Sequence, residues 1–82
     1  MHEHGLIDRL VRLALAEALE RGGRLRAVYV RLGCLATHTS EGLRREFDHI
    51  TREHLGHDVA LIIEEAPERP AGIEIVGIEV VR

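Results

Sequence analysis

Between Leu6 and Arg21 the apolar residues Leu6, Leu10, Leu13, Ala14, Leu15 and Ala18 recur near helical spacing, with Asp8, Arg9, Arg12, Glu17 and Glu20 interleaved. That pattern predicts an amphipathic helix. It stops at Gly22-Gly23, the residue type that accepts the left-handed backbone of a helix end without a Cβ clash. In the next stretch, LRAVYVRLG, Val28, Val30 and Leu32 alternate with Ala27, Tyr29 and Arg31, which predicts a strand ending near Gly33. A turn follows between Thr37 and Ser40, where Thr39 or Ser40 can cap a second helix with Leu43, Phe47, Ile50 and Leu55 as its apolar stripe. Gly56-His57-Asp58 breaks the pattern before VALIIEE, whose Val59, Leu61 and Ile63 share one face of a second strand. PERPAG holds both prolines and reads as a turn. The closing IEIVGIEVV is β-branched and alternates Ile73, Ile75, Gly77, Glu79 and Val81 with Glu74, Val76, Ile78 and Val80, which predicts a third strand.

The expected order is helix, strand, helix, strand, strand. A strand–helix–strand unit closes as a parallel crossover, whereas the short link through PERPAG suits an antiparallel pair. The chain should therefore be an α/β (α+β) fold with two helices on a mixed three-stranded sheet. Its 82 residues are enough for one core, with only about 60% of the unfolded chain's surface buried at this size, so residues 1–82 form a single domain.

Composition narrows the function classes. Tyr29 and Phe47 are the only aromatic residues and the formal charge is −3, so neither base stacking nor a phosphate-binding surface for nucleic acid is expected. Cys34 is alone, which rules out an intrachain disulfide and a four-thiolate zinc site within one chain. No stretch approaches the roughly 20 apolar residues needed to span a bilayer, and no signal-type run opens the chain. A cytoplasmic protein without membrane contact is the expectation.

Candidate chemistry concentrates in the first four residues, MHEH. The Met1 amine and the His2 backbone nitrogen can close a five-membered chelate ring, and that nitrogen with the His2 imidazole closes a six-membered one. Two fused rings fix a planar set of nitrogens, which favours Ni(II) or Cu(II) over tetrahedral Zn(II) or oxygen-seeking Mg(II). The first amides of a helix have no intrahelical acceptor, so they can serve a metal without breaking the ladder. The positive end of the helix dipole opposes a cation there, and Glu3 supplies a compensating carboxylate. Because ligand protons must leave, affinity should fall on acidification. The plain alternative is a polar, frayed terminus.

Three other groupings carry weaker signals. Cys34 and His38, four apart across a turn, could hold a soft metal or act as nucleophile and base; otherwise they are a buried strand-end thiol and an exposed turn imidazole. Glu46 and His49 have the Glu-x-x-His spacing of bundle metal sites but lack companion carboxylates on other helices, so with Glu53 they read as a polar helix face. His54 and His57 flank a helix end, where a cationic His is mildly favourable, and need no site to explain them.

From Met1 to Arg82 the chain resembles the hydrogenase-maturation nickel metallochaperones of the HypA/HybF family. The likeness rests on Met1-His2-Glu3 before a Leu- and Ala-rich helix, on VRLGCL with Gly33, Cys34 and Leu35, and on SEGLRREFDHIT with Glu41, Leu43, Phe47 and Thr51 at matching positions. It continues through VALIIEEAP with Pro67 to the closing IEIVGIEV. The resemblance implies a delivery protein that holds Ni(II) through the Met1 amine and backbone, the His2 imidazole and Glu3. It implies hand-over, with a HypB-type GTPase, to the large subunit of a [NiFe] hydrogenase or in some organisms to urease. No catalytic residue and no enzymatic activity are implied. Two departures stand out. The family's zinc module with its two Cys-x-x-Cys pairs is absent and loop 67–72 occupies its place, so no zinc is expected; and His4 stands where an apolar residue is usual, either adding a ligand or sitting in solvent. A competing expectation is a metal-free interaction module built on the same scaffold, its exposed sheet edge pairing with a client or with a second copy as a homodimer.

Overall fold

In the computed structural model, which describes the backbone from Glu3 to Arg82 and the side chains from Gly5 onward, the elements are α1 (Glu3–Glu20), β1 (Arg24–Gly33), α2 (Ser40–Leu55), β2 (Ala60–Ala66) and β3 (Ile73–Val81). The order is the one expected, an α+β fold of two helices with a mixed three-stranded sheet.

The helix ends follow from local chemistry. At the end of α1, Gly22 takes φ 73° and donates its N–H to the Leu19 carbonyl at 3.0 Å, while the Gly23 N–H reaches the Ala18 carbonyl at 3.1 Å. These two bonds satisfy carbonyls that the helix leaves without partners. Thr39 caps α2, its hydroxyl accepting the Gly42 N–H at 3.0 Å. Gly56 at φ 70° ends α2 with its N–H on the Arg52 carbonyl at 3.1 Å.

The sheet order is β2-β1-β3, with β1 parallel to β2 and antiparallel to β3. The short PERPAG link therefore does not join a hairpin. β3 takes the far edge of β1, and loop 67–72 crosses the carboxyl end of that central strand. Three backbone bonds hold the crossing: Gly33 N–H to the Gly72 carbonyl at 2.9 Å, Cys34 N–H to Arg69 at 2.9 Å and Leu35 N–H to Ala71 at 3.0 Å. Gly33 is needed for it, because a Cβ there would overlap the Ala71 carbonyl oxygen and come within 3.0 Å of the Arg69 carbonyl oxygen.

The core lies between the helices and one sheet face. It contains Ile7, Val11, Ala14 and Ala18 of α1, Leu43, Phe47 and Ile50 of α2, Leu25, Val28, Val30 and Leu32 of β1, and Val59 and Leu61 from the β2 side. Two expectations are corrected here. On α1 the buried stripe is shifted by one residue from the leucines: Ile7 and Val11 are fully buried, whereas Leu13 is 58% exposed. On β3 the simple alternation fails, since Ile73, Ile75, Ile78 and Val80 all pack on the core.

β1 and β3 each carry a bulge, and the one on β3 explains the second correction. Leu25 pairs with Val80 but Ala27 with Glu79, making Arg26 an extra residue on β1; Tyr29 pairs with Gly77 but Val30 with Ile75, making Val76 an extra residue on β3. Each bulge shifts the pleat by one residue and so lets apolar positions three apart face the same side. Thr51 is the one buried polar side chain among the described residues, and its hydroxyl donates back to the Phe47 carbonyl at 2.9 Å. No helix among the described residues is long and apolar enough to cross a membrane.

Gly33→Ala should destabilise the protein by about 1–3 kcal/mol, the usual cost of forcing extra volume into a packed site. Gly5→Ala, where a Cβ meets nothing within 4 Å and alanine is the better helix former, should hold or raise stability. Urea denaturation of both variants against wild type measures this, and a Gly33→Ala protein as stable as wild type would remove Gly33 as the reason the loop can cross.

Candidate metal centre

The expected ligands are Met1, His2 and Glu3. Met1, His2 and the Glu3 side chain lie outside the described residues, as does the His4 side chain. What the structure does describe is their setting. The described part of α1 begins at Glu3. The first turns of α1 meet the last turn of α2, where the His54 Nε2–H donates to Asp8 Oδ1 at 3.0 Å. The second oxygen of Asp8 accepts from Arg12 Nε at 2.7 Å. The Arg12 guanidinium first, and then the His54 imidazole, hold the Asp8 carboxyl below its ordinary value.

The contact joins the second turn of α1 to the last turn of α2. Asp8 itself is committed to Arg12 and His54.

The remaining candidates are distributed as follows. Cys34 and His38 line a common cavity with Ser40, Glu41 and Glu65 at the amino end of α2. Their burial is the reverse of the plain expectation, since Cys34 is exposed and the His38 ring nitrogens are shielded from solvent. His49 and Glu53 lie on an exposed face of α2, their side chains 3.6 Å apart, with Glu46 half-buried. His57 Nε2 contacts the Leu25 carbonyl at 3.2 Å, tying the turn after α2 to β1. Among the described residues no group of three or more His, Cys, Asp or Glu side chains is placed to hold a metal.

The Asp8–His54 contact was not foreseen, since the partners lie 46 residues apart and neither stands in a motif. Compared with models of known protein families and with curated proteins, the chain gives no significant match.

Asp8→Asn should lower stability at neutral pH. The folded-state carboxyl titrates below its ordinary value of 3.8, so its contribution is fully present above that value and is lost as the pH falls through the lower folded-state value. Urea titrations at neutral pH and in strong acid should show the gap between wild type and variant closing in acid. A gap that stays constant would assign the loss to packing.

Proposed function

We propose that the chain is a nickel-delivery protein that carries Ni(II) at Met1, His2 and Glu3. In this reading it works in the cytoplasm with a HypB-type GTPase and hands the ion to a [NiFe] hydrogenase large subunit or to urease. The feature that carries the reading is the sequence Met1-His2-Glu3, an amine, an adjacent backbone nitrogen and an imidazole in chelating order, directly ahead of the described part of α1. The first amides of a helix have no helical acceptor, so one near such an end can become a metal ligand without breaking a helical bond.

Two further features support it. The element order and mixed sheet are those implied by the resemblance to the HypA/HybF family, including a closing strand after the residues where a zinc module would be inserted. Loop 67–72 spans that position with backbone bonds to residues 33–35.

The second reading, a metal-free interaction or dimerisation module, draws on the sheet face away from the helices. There Tyr29, Ile62 and Val76 are 38%, 41% and 49% exposed and sit together.

Calorimetric titration of Ni(II) into untagged protein separates the two readings. The delivery reading expects a dissociation constant on the order of 1 μM, tight enough to load and weak enough to release. Binding should be lost in His2→Ala and when one residue is added before Met1. It should also weaken more than about tenfold between pH 7.5 and 6, as the amine and imidazole, with reference pKa values of roughly 7.7–8.0 and 6.5, take up protons. Equal binding by all three proteins would assign the metal to scattered histidines, and absence of binding would leave the interaction module.

A further inference from the structure

At the end of the sheet where β1 begins and β3 finishes, a cleft of about 420 Å³ is lined by Arg24, Leu25, Arg26, His57, Val81 and Arg82, with Asp58 at its edge. Three of the eleven arginines of an acidic chain gather here. The side chains of Arg24 and Arg82 make no hydrogen bond or ion pair among the described residues. Arg26 is 4.0 Å from Glu79. That carboxylate also accepts the Tyr29 hydroxyl at 3.0 Å. Asp58, 90% exposed, turns to Arg52 at 3.6 Å. The lining side chains, three arginines and Asp58, therefore carry a net positive charge of two, which Glu79 beside Arg26 offsets in part.

We propose that this cleft binds the phosphate group of a small phosphorylated molecule, gripped by Arg24 and Arg26, with Arg82 and His57 closing around it. A phosphate dianion matches the charge of the lining. Its three terminal oxygens use more guanidinium donors than the two oxygens of a carboxylate can. The β1 bulge contributes directly, because the extra residue that it inserts is Arg26, and bulges re-aim the side chains at which they occur. His57 is held in place by its contact with the Leu25 carbonyl.

The cleft is larger than phosphate needs and falls within the roughly 300–1,000 Å³ of small-molecule sites. Among the other lining residues Val81 is apolar and 44% exposed, so the rest of the ligand is apolar. The negative end of the α2 dipole works against an anion at this end of the helix. It amounts to about half a charge, against two positive charges on the lining. A polynucleotide fits poorly, since Asp58 lines the cleft, Glu79 pairs with Arg26 and the whole chain is acidic.

Inorganic phosphate and AMP, titrated separately into the isotope-labelled full chain at constant ionic strength, test this through backbone amide shifts. Saturable shifts are expected at residues 24–26, 57–58 and 81–82. Affinity should fall about tenfold or more in Arg24→Gln and in Arg26→Gln, each losing a charged hydrogen-bond donor. Arg45→Gln on α2 should bind as wild type. Tighter binding of AMP than of phosphate would identify a phosphorylated molecule as the source, and equal binding would identify free phosphate; both support the site. Shifts that never saturate, that chloride reproduces, or that persist in both cleft variants would overturn it. So would tight, strongly salt-dependent binding of an oligonucleotide with no response to either small anion. His2→Ala should leave phosphate binding unchanged, so failure of the nickel reading and failure of this one are told apart.

Discussion

The chain leaving β2 has to pass the end of β1 before it can begin β3, and the close contact of that crossing with Gly33 is the constraint on which the rest of the sheet depends. β1 is bonded along both edges, parallel to β2 and antiparallel to β3. A parallel neighbour finishes at the same end as β1, and an antiparallel neighbour starts there. The connection must therefore run over that end within six residues, and it does so as backbone against backbone. A side chain at position 33 would push the loop outward, and β3 would lose its register with Leu32 and Val30. The register determines which residues of β3 reach the core, so one small residue at the end of β1 governs burial along another strand.

Much of this architecture is legible in the amino-acid order because its signals are local. Gly22, Thr39 and Gly56 end or start helices through bonds within a few residues, and each stands where the polar pattern places a boundary. Strand order and phase are different in kind. A bulge is a relation between two strands; nothing in IEIVGIEVV alone says that Val76 is the extra residue, and simple alternation then assigns Ile78 and Val80 to the wrong side. α1 carries two helical stripes, one of leucines and one of Ile7, Val11, Ala14 and Ala18. The second is buried, and its alanines let the helix approach the sheet and α2 closely. The leucine stripe is half-buried at Leu6, Leu10 and Leu15 and exposed at Leu13.

The candidate sites divide along the same line. A chelate built from an amine, the next backbone nitrogen and the next imidazole uses adjacent residues, so it can be read without a fold. His54 and His57 could not be assigned from their positions, since their partners, Asp8 and the Leu25 carbonyl, arrive from elements 46 and 32 residues away. The arginine cleft is the extreme case: Arg24 and Arg26 begin one strand and Arg82 follows another, and only the antiparallel pairing of Arg24 with Val81 brings them together.

The position of the proposed nickel ligands in the sequence, ahead of the core residues of α1, has a consequence for release. Asp8, the nearest described carboxylate to the motif along α1, is tied to Arg12 and His54, so recruiting it would break the link between the two helices. Glu3 is then the carboxylate left to compensate the positive end of α1. A site confined to the first residues draws no ligand from the core, whose α1 members begin at Ile7. Loading and unloading the ion therefore need not disturb packing, and the cost of giving it up is set by the ligands' own affinity and by competing protons. That separation is what a carrier requires: the core contributes stability whether or not the cargo is present, and transfer to a client needs only local rearrangement.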